Sequence, residues 1–417
     1  MIRIFKIALR NLLRYKRRTM LTSLLITLGI VLVILFSGLA GSFKSMMIGQ
    51  ITDSNLSQMQ IHKKGYVSSI DTMPLNLTLN TKRYQKIENL LSSNYSIKAF
   101  APRIKLNAML SNFIDTTNIR LNAIMPDREI LVCPDVASRM TFDKNRKPDL
   151  LLDRGEIILP EKLAKGLKLK IGDPIVLVAN NRDGSVNGLN FKVAGIIESI
   201  LGPQGKEGYM HIKDAEDLLR MNQPEVIEVA IRLHDFDKLE KVYREISPKL
   251  TGFINKKGMP EFEIHTWDKL SPFSNIAKMI DFMTITMKII MIAIVLISIL
   301  NVMMMSVYER IREIGTMAAI GTAPSRIMSL FLAEGLLLGL VSAVIGNIIG
   351  LGGIFILNIY QISFSFGRQD NLLLSPTVNT NELIWVSGIV LLISVFASLQ
   401  PAYKASKMEP VDALGHV

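Results

Sequence analysis

One cysteine, Cys133, stands among 417 residues, so no intramolecular disulfide braces any part of this chain. The five histidines are dispersed (His62, His211, His234, His265 and His416) and form neither H-x-x-H nor H-E-x-x-H, the local patterns that bring two imidazoles to one metal. No G-x-S-x-G elbow occurs. No G-x-x-x-x-G-K-[ST] phosphate loop occurs either; the nearest fragment, Gly202-Pro203-Gln204-Gly205-Lys206-Glu207, has the wrong spacing and no hydroxyl after its lysine. Nucleotide hydrolysis through such a loop is therefore excluded. Many of the 22 methionines fall in or beside apolar stretches (Met283, Met287, Met291, Met303, Met304, Met305), where thioethers fill packing gaps, and a copper site is not read from them. The expectation is a non-catalytic chain with no metal and no cofactor of its own.

The most telling absence is of charge. Thr19–Phe43, Ile289–Tyr308, Gly335–Gly367 and Leu383–Tyr403 contain no Asp, Glu, Lys, Arg or His. Each is long enough for a helix of about 30 Å, the thickness of a bilayer's hydrocarbon core. Of the net charge of +12, seven positive charges (Arg3, Lys6, Arg10, Arg14, Lys16, Arg17 and Arg18) precede the first span with no acid between them. A basic cluster in that position reads as a cytoplasmic membrane anchor, not as a nucleic-acid surface. Arg3, Lys6, Arg10, Arg14 and Arg17 recur every three or four residues, opposite Phe5, Ala8, Leu9, Leu12 and Leu13. That spacing predicts an amphipathic helix in the inner-leaflet interface. The first apolar region exceeds the 7–15 residues of a signal peptide and is read as a retained anchor.

The expected order is a cytoplasmic basic helix over 1–18, a first span over 19–43 and an extracytoplasmic domain with helical stalks over 44–281. A second span over 285–308, a cytoplasmic segment over 309–326 and a third span over 327–359 follow. An outer loop over 360–382, a fourth span over 383–403 and a cytoplasmic tail over 404–417 complete it. Arg310, Arg312, Arg326, Lys404 and Lys407 fall inside and only Arg368 on the short outer loop, as the positive-inside rule requires. The fold class is thus an α-helical membrane protein with four transmembrane helices and a mixed α/β extracytoplasmic domain. In that domain, alternation predicts strands at Ile97–Leu110, Asn118–Ile124, Ile175–Ala179, Asn190–Ile197 and Val226–Leu233. Helices are predicted at Lys82–Leu91, Lys162–Leu167, Asp214–Met221 and Asp237–Ile246, the last capped by Asp235. Arg182-Asp183-Gly184-Ser185 is a turn signal.

Between the second and third spans, Glu309 with Arg312 and Arg310 with Glu313 are i,i+3 pairs that favour a helix leaving the membrane. Gly315 and Gly321 bracket a short small-residue helix, and Pro324 suits the first turn of the next span. Such a helix, parked against the inner face, has a shape that fits a cleft on a cytoplasmic partner. Glu334, about two turns into the third span, is either a functional intramembrane acid or a headgroup-depth partner of an inner arginine such as Arg326. Gly335, Gly339 and Ala343, then Gly346 and Gly350, repeat at four-residue spacing, a pattern that lets helices approach closely.

These residues resemble a known family. The one-plus-three arrangement of spans and the run Glu309-Arg310-Ile311-Arg312-Glu313-Ile314-Gly315 look like the FtsX/MacB/LolCE superfamily of type VII ABC-transporter permeases. Ala319-Ile320-Gly321 with Arg326-Ile327, Phe331-Leu332-Ala333-Glu334-Gly335, and Pro401-Ala402-Tyr403-Lys404-Ala405-Ser406 followed by Pro410-Val411-Asp412-Ala413-Leu414 are similar to the same family. So are Leu163-Ala164-Lys165-Gly166-Leu167-Lys168-Leu169-Lys170-Ile171-Gly172-Asp173 and Phe191-Lys192-Val193-Ala194-Gly195-Ile196, which resemble its periplasmic domain. The resemblance is strongest to the lipoprotein-releasing LolC/LolE group.

The resemblance implies an extracytoplasmic domain of the MacB periplasmic type, residence in the inner membrane with both termini cytoplasmic, and mechanotransmission. Two permeases, identical or paralogous, pair with a cytoplasmic ABC ATPase dimer that carries the ATP and Mg²⁺. The coupling set is Glu309, Arg310, Arg312, Glu313, Gly315, Ala319, Gly321, Ser325 and Arg326, with the ATPase gripping Met317–Arg326. Lipid-anchored cargo and a periplasmic carrier or adaptor are the implied outer partners. Peptide or drug efflux, and FtsX-like activation of a cell-wall hydrolase, stay open as alternatives. The carrier-capturing loop of LolC-like proteins falls near Asn180–Asn190; here it is short and glycine-containing, which leaves direct carrier capture by this subunit open, with a single-permease homodimer or a LolE-like role as alternatives.

Overall fold

A computed structural model describes residues 2–142, 151–181, 183–198, 207–360, 363–366 and 369–409. The chain divides into two units, Met1–Met46 with Ile276–Phe364 and Asn371–Val417, and Met47–Asn275 with Ser365–Asp370.

The first unit is helical. A short amphipathic helix, Ile2–Arg14, precedes four long apolar ones: TM1 (Lys16–Ile51), TM2 (Ser274–Glu309), TM3 (Pro324–Tyr360) and TM4 (Thr380–Ser406). All four are long and apolar enough to cross a membrane. In hydrocarbon a backbone can satisfy its N–H and C=O groups only within itself, which an uninterrupted helix does. TM1 and TM2 have 36 residues each. At about 1.5 Å per residue they reach about 54 Å, well past the roughly 30 Å of a hydrocarbon core.

Two small-residue seams order the bundle. A Cβ on Gly335 would lie 1.8 Å from Ser398 Oγ, and one on Gly339 would lie 2.2 Å from Ser394 Oγ, so TM3 meets TM4 at near backbone contact. Further along, Gly346 and Gly350 receive Ile30 and Ile34 of TM1, with virtual Cβ distances of 2.8 Å to each side chain. The four predicted glycines thus serve two neighbours, one pair each. TM1 and TM2 meet at Gly29, where a Cβ would lie 3.4 Å from Met291 and 4.0 Å from Val295. They are also tied by Lys44, whose Nζ donates to both Asp281 carboxylate oxygens at 2.6 and 2.7 Å. The 360–382 segment, expected as an outer loop, contains a strand pair, Ser363–Phe366 with Gln369–Leu373.

The second unit holds a ten-stranded sheet: β1 (Met59–Lys63), β2 (Ile97–Ser111), β3 (Thr116–Ile124), β4 (Met140–Phe142), β5 (Glu156–Pro160), β6 (Pro174–Asn180), β7 (Val186–Ile197), β8 (Glu207–His211), β9 (Glu228–Leu233) and β10 (Phe262–Thr266). The pairings β2–β3, β3–β8, β8–β5, β5–β7, β7–β6 and β6–β2 return to their start. Six strands therefore close into a barrel. β2 makes this possible by its length: the half up to Arg103 pairs with β9, and Met109–Ser111 pairs with β6 on the same edge. Beyond β9 the sheet continues open through β1 to β10. The barrel is filled by alternate residues, among them Leu106 and Leu110, Ile119 and Leu121, Ile175 and Leu177, and Phe191 and Val193.

Several sequence expectations shift. The strand expected from Asn190 begins at Val186, because the turn closes early: Asn181 N–H donates to Ser185 O and Gly184 takes φ +81°. Arg182 of that turn lies outside the described residues. The strand expected over Val226–Leu233 is two pieces; Glu225–Val226 pairs with Leu79–Asn80, and β9 begins at Glu228. The helix expected from Asp237 starts at Leu239 after a 3₁₀ turn, in which Asp235 accepts from Asp237 N–H at 3.0 Å.

The reverse face of the open part of the sheet carries charge in its interior. In neighbouring registers stand Glu263, His62, Glu228 and Arg103 on β10, β1, β9 and β2. Arg103, fully buried, donates from Nε at 2.9 Å and Nη2 at 2.5 Å to the Glu129 carboxylate and from Nη1 to Glu228 at 2.9 Å. Lys105 Nζ is 3.1 Å from Glu228, and His62 Nε2 is 3.5 Å from it. The buried Cys133 also accepts from Arg103 at 3.1 Å, and burial pushes its pKa up to about 12.

Burial holds His62 neutral below its usual pKa of 6.5, against the pull of Glu228. Burial also opposes the Glu228 charge, yet Lys105 and then His62 and Arg103 overcome it and hold that carboxyl below the usual range. Both folded pKa values are depressed, so the unfolded chain binds the extra protons and stability falls on acidification. Thermal unfolding of the full chain in detergent should move to lower temperature between pH 7.5 and 5.5. His62→Gln should flatten that slope by up to about 1.4 kcal/mol per pH unit below about 6.5. An unchanged slope in the variant removes His62 as the cause.

Candidate functional site

The site lies at the basic end of the helical unit, where TM2 breaks. TM2 ends at Glu309 and a nine-residue helix, Ile311–Ala319, begins at once; Arg310 between them has φ −113° and ψ 20°, outside the helical range. The expected Arg310–Glu313 pair forms across this break, with Arg310 Nε donating to Glu313 at 2.9 Å, and Glu309 accepts from Arg18 Nη1 of TM1 at 2.8 Å. Gly315, expected to bracket the short helix, lies buried in its middle beside Ile314.

Only Gly321 ends the helix, at φ +84°. Its N–H donates to Ala318 O at 3.0 Å and the Thr322 N–H to Met317 O at 3.0 Å. That pair of bonds defines a Schellman stop, and only glycine occupies its left-handed position without strain. Pro324 then opens TM3 at its first position, where a missing N–H costs nothing. The intervening turn is presented outward: Ala319, Ser325 and Arg326 are exposed and Ile320 is 77% exposed. Arg312, on the short helix, is exposed as well.

Glu334 is where the ends converge. Its carboxylate Oε1 accepts from Arg310 Nη1 at 2.8 Å and from Asn11 Nδ2 at 2.6 Å, and the residue is only 1% exposed. Arg326 cannot be its partner, because eight residues along one helix are about 12 Å apart. Arg310 is itself buried and lies over the Phe331 ring at 5.4 Å. Around this buried pair stands a second set of contacts. Arg14 donates to Glu313 at 3.2 Å, and Arg18 Nη2 donates to Ser306 Oγ at 3.0 Å.

The predicted anchor residues Lys6, Arg10, Arg14 and Arg17 are all exposed, and Arg14 also reaches Glu313 at the surface. The Arg3 side chain lies outside the described residues, as does the tail from Pro410. The amphipathic helix does more than float on lipid, for Ala8 packs on Leu330 and Ala333 of TM3. Its Phe5, Leu9 and Leu13 remain exposed as an apolar stripe. The contacts of Asn11, Arg18, Ser306 and Phe331 were not signalled by the sequence; an acid in an apolar span, which needs a partner, was the available clue.

A break after TM2, a stopped helix and an exposed turn lie together at one end of the helical unit, and the buried Glu334 holds Arg310 at the break. The comparisons give the chain its family. The FtsX-like permease C-terminal model matches residues 285–410, and the MacB-like periplasmic core domain model matches residues 19–249. The chain belongs to the FtsX/MacB/LolCE family of ABC transporter permeases.

It is 23% identical over 429 residues to the lipoprotein-releasing system transmembrane protein LolC of Neisseria meningitidis, covering 95% of this chain and 93% of that one. It is 25% identical over 417 residues to the macrolide export ATP-binding/permease protein MacB of Haemophilus ducreyi, covering 98% of this chain but 55% of that protein. The crystal structure of the periplasmic region of MacB from Actinobacillus actinomycetemcomitans matches over 56% of this chain and 95% of its own, at 15% identity and a TM-score of 0.35. The family models, not this superposition, carry the assignment.

Proposed function

We propose that the chain is the non-catalytic permease of an ABC transporter that releases lipoproteins from the inner membrane, driven by a separate ATPase dimer bound from the cytoplasm. The observation that carries the mechanical part is the pairing of TM1 and TM2. They are 36-residue helices tied at one end by Arg18 to Glu309 and Ser306, and at the other by Lys44 to Asp281. A pair clamped at both ends transmits displacement instead of shearing. The ATPase grips the exposed turn around Ile320 and Gly321, and the motion it imposes passes along TM1 and TM2 to the periplasmic domain. ATP and Mg²⁺ are held by the partner. A second permease copy or a paralogue completes the transporter, and a periplasmic carrier or adaptor receives the cargo. Both termini are cytoplasmic, in keeping with the basic cluster before TM1.

Lipoprotein cargo is supported by the match over 93% of a LolC protein. Depletion of the chain in cells is expected to retain triacylated lipoproteins in the inner-membrane fraction. Normal sorting after depletion, with altered drug susceptibility instead, overturns this reading in favour of efflux; loss of cell-wall hydrolase activity favours a signalling subunit.

A further inference from the structure

The joint at Arg310 is a single non-helical residue between TM2 and the short helix Ile311–Ala319. One residue with free φ and ψ is a swivel, and a swivel transmits no torque. Here it is held from three sides. Glu334 of TM3 accepts from Arg310 Nη1 at 2.8 Å, Glu313 accepts from its Nε at 2.9 Å, and the Phe331 ring lies 5.4 Å below the guanidinium. The same Glu334 oxygen accepts from Asn11 at 2.6 Å, and Arg14 reaches Glu313 at 3.2 Å. The amino-terminal helix is thereby attached to the joint at two points and to TM3 through Ala8. A carboxylate buried at this depth is costly unless its partners are fixed, and two donors on separate helices fix it.

We infer that Glu334 is a positioning residue that locks the Arg310 joint, so that the short coupling helix, the amino-terminal helix and TM3 turn as one body. Glu334 touches no partner. It acts by keeping Arg310 in one conformation. The amino-terminal helix becomes a strut of the coupling machinery in addition to an anchor. The inference rests on the permease reading for its consequence, but its geometric part stands alone.

Two measurements on the full chain separate these. In the first, nitroxides at Lys6→Cys and Ala323→Cys, both exposed, report the distance between the amino-terminal helix and the turn in nanodiscs, without any ATPase. The native Cys133 is fully buried and stays unlabelled. One narrow distance is expected, broadening at least twofold in Glu334→Leu and recovering in Glu334→Asp. An unchanged width in Glu334→Leu overturns the lock.

In the second, the chain is reconstituted with its partner ABC ATPase, and release of a triacylated lipoprotein is measured against ATP hydrolysis. Glu334→Leu is expected to keep hydrolysis within twofold of wild type while release falls at least tenfold; Asn11→Leu should lose about threefold. Parallel loss of hydrolysis and release, with the complex falling apart, marks a merely structural residue and contradicts the proposal. A wild-type chain that no nucleotide drives refutes the permease reading, and the distance measurement still decides the lock.

Discussion

Arg103→Met should destabilise the periplasmic-type domain by about 3–5 kcal/mol, because it leaves Glu129 buried with no cationic partner and Glu228 with only Lys105 and His62. A domain's whole stability is about 5–15 kcal/mol, so the loss is large. Replacing the ion pair is a different matter from breaking it: Arg103→Met with Glu129→Gln removes charge from both sides and should recover at least half of the loss. Arg103→Lys should fall between, since an ammonium cannot reproduce the two-pronged contact that Nε and Nη2 make with Glu129. Denaturant unfolding of the full chain reads this through Trp267, which lies in the domain, with Trp385 of TM4 replaced by Phe to remove its signal. A loss below about 1 kcal/mol in Arg103→Met shows the network to be dispensable.

The second large effect belongs to the TM3–TM4 seam. An alanine methyl at Gly335 collides with Ser398 at 1.8 Å and comes within 3.1 Å of the Ser394 carbonyl, a backbone atom that cannot rotate away. The helices must part, and overpacking of this kind costs about 1–3 kcal/mol. Gly335→Val should prevent a stable bundle. Gly352 and Gly388 have nothing within 4 Å of a virtual Cβ, so alanine at either should be neutral. Ser398→Gly clears the nearest obstacle and should restore part of the stability of Gly335→Ala. Melting temperatures in detergent decide between these outcomes, and equal melting of the Gly335→Ala and Gly352→Ala variants contradicts the seam.

The spans were legible because charge avoidance over 20 or more residues has one physical cause. The seam was legible as spacing, though not as to partner, for nothing local says that Gly335 meets a serine while Gly346 meets an isoleucine. Strands with clean alternation, such as Asn118–Ile124, were legible too. β1, β8 and β10 were not: Met59-Gln60-Ile61-His62 buries its polar residues as deeply as its apolar ones, so the inward side looks hydrophilic. The same holds for the contacts around Arg310. Glu309, Arg310 and Glu313 were visible as a charged run, yet local spacing pairs them along one helix. The observed contacts join Asn11 to Glu334 and Arg18 to Glu309 across some 300 positions. The closed barrel needs β2 to change partners partway along one edge, which no periodicity encodes.

We expect the turn at Ile320–Gly321 to be the surface on which an ATPase drives this chain. A photo-reactive amino acid at Ile320, which is 77% exposed, tests it in living cells. Irradiation should yield an adduct with an ATP-binding subunit. Adducts formed only with extracytoplasmic proteins, or none with any ATPase while the transporter is active, contradict the account.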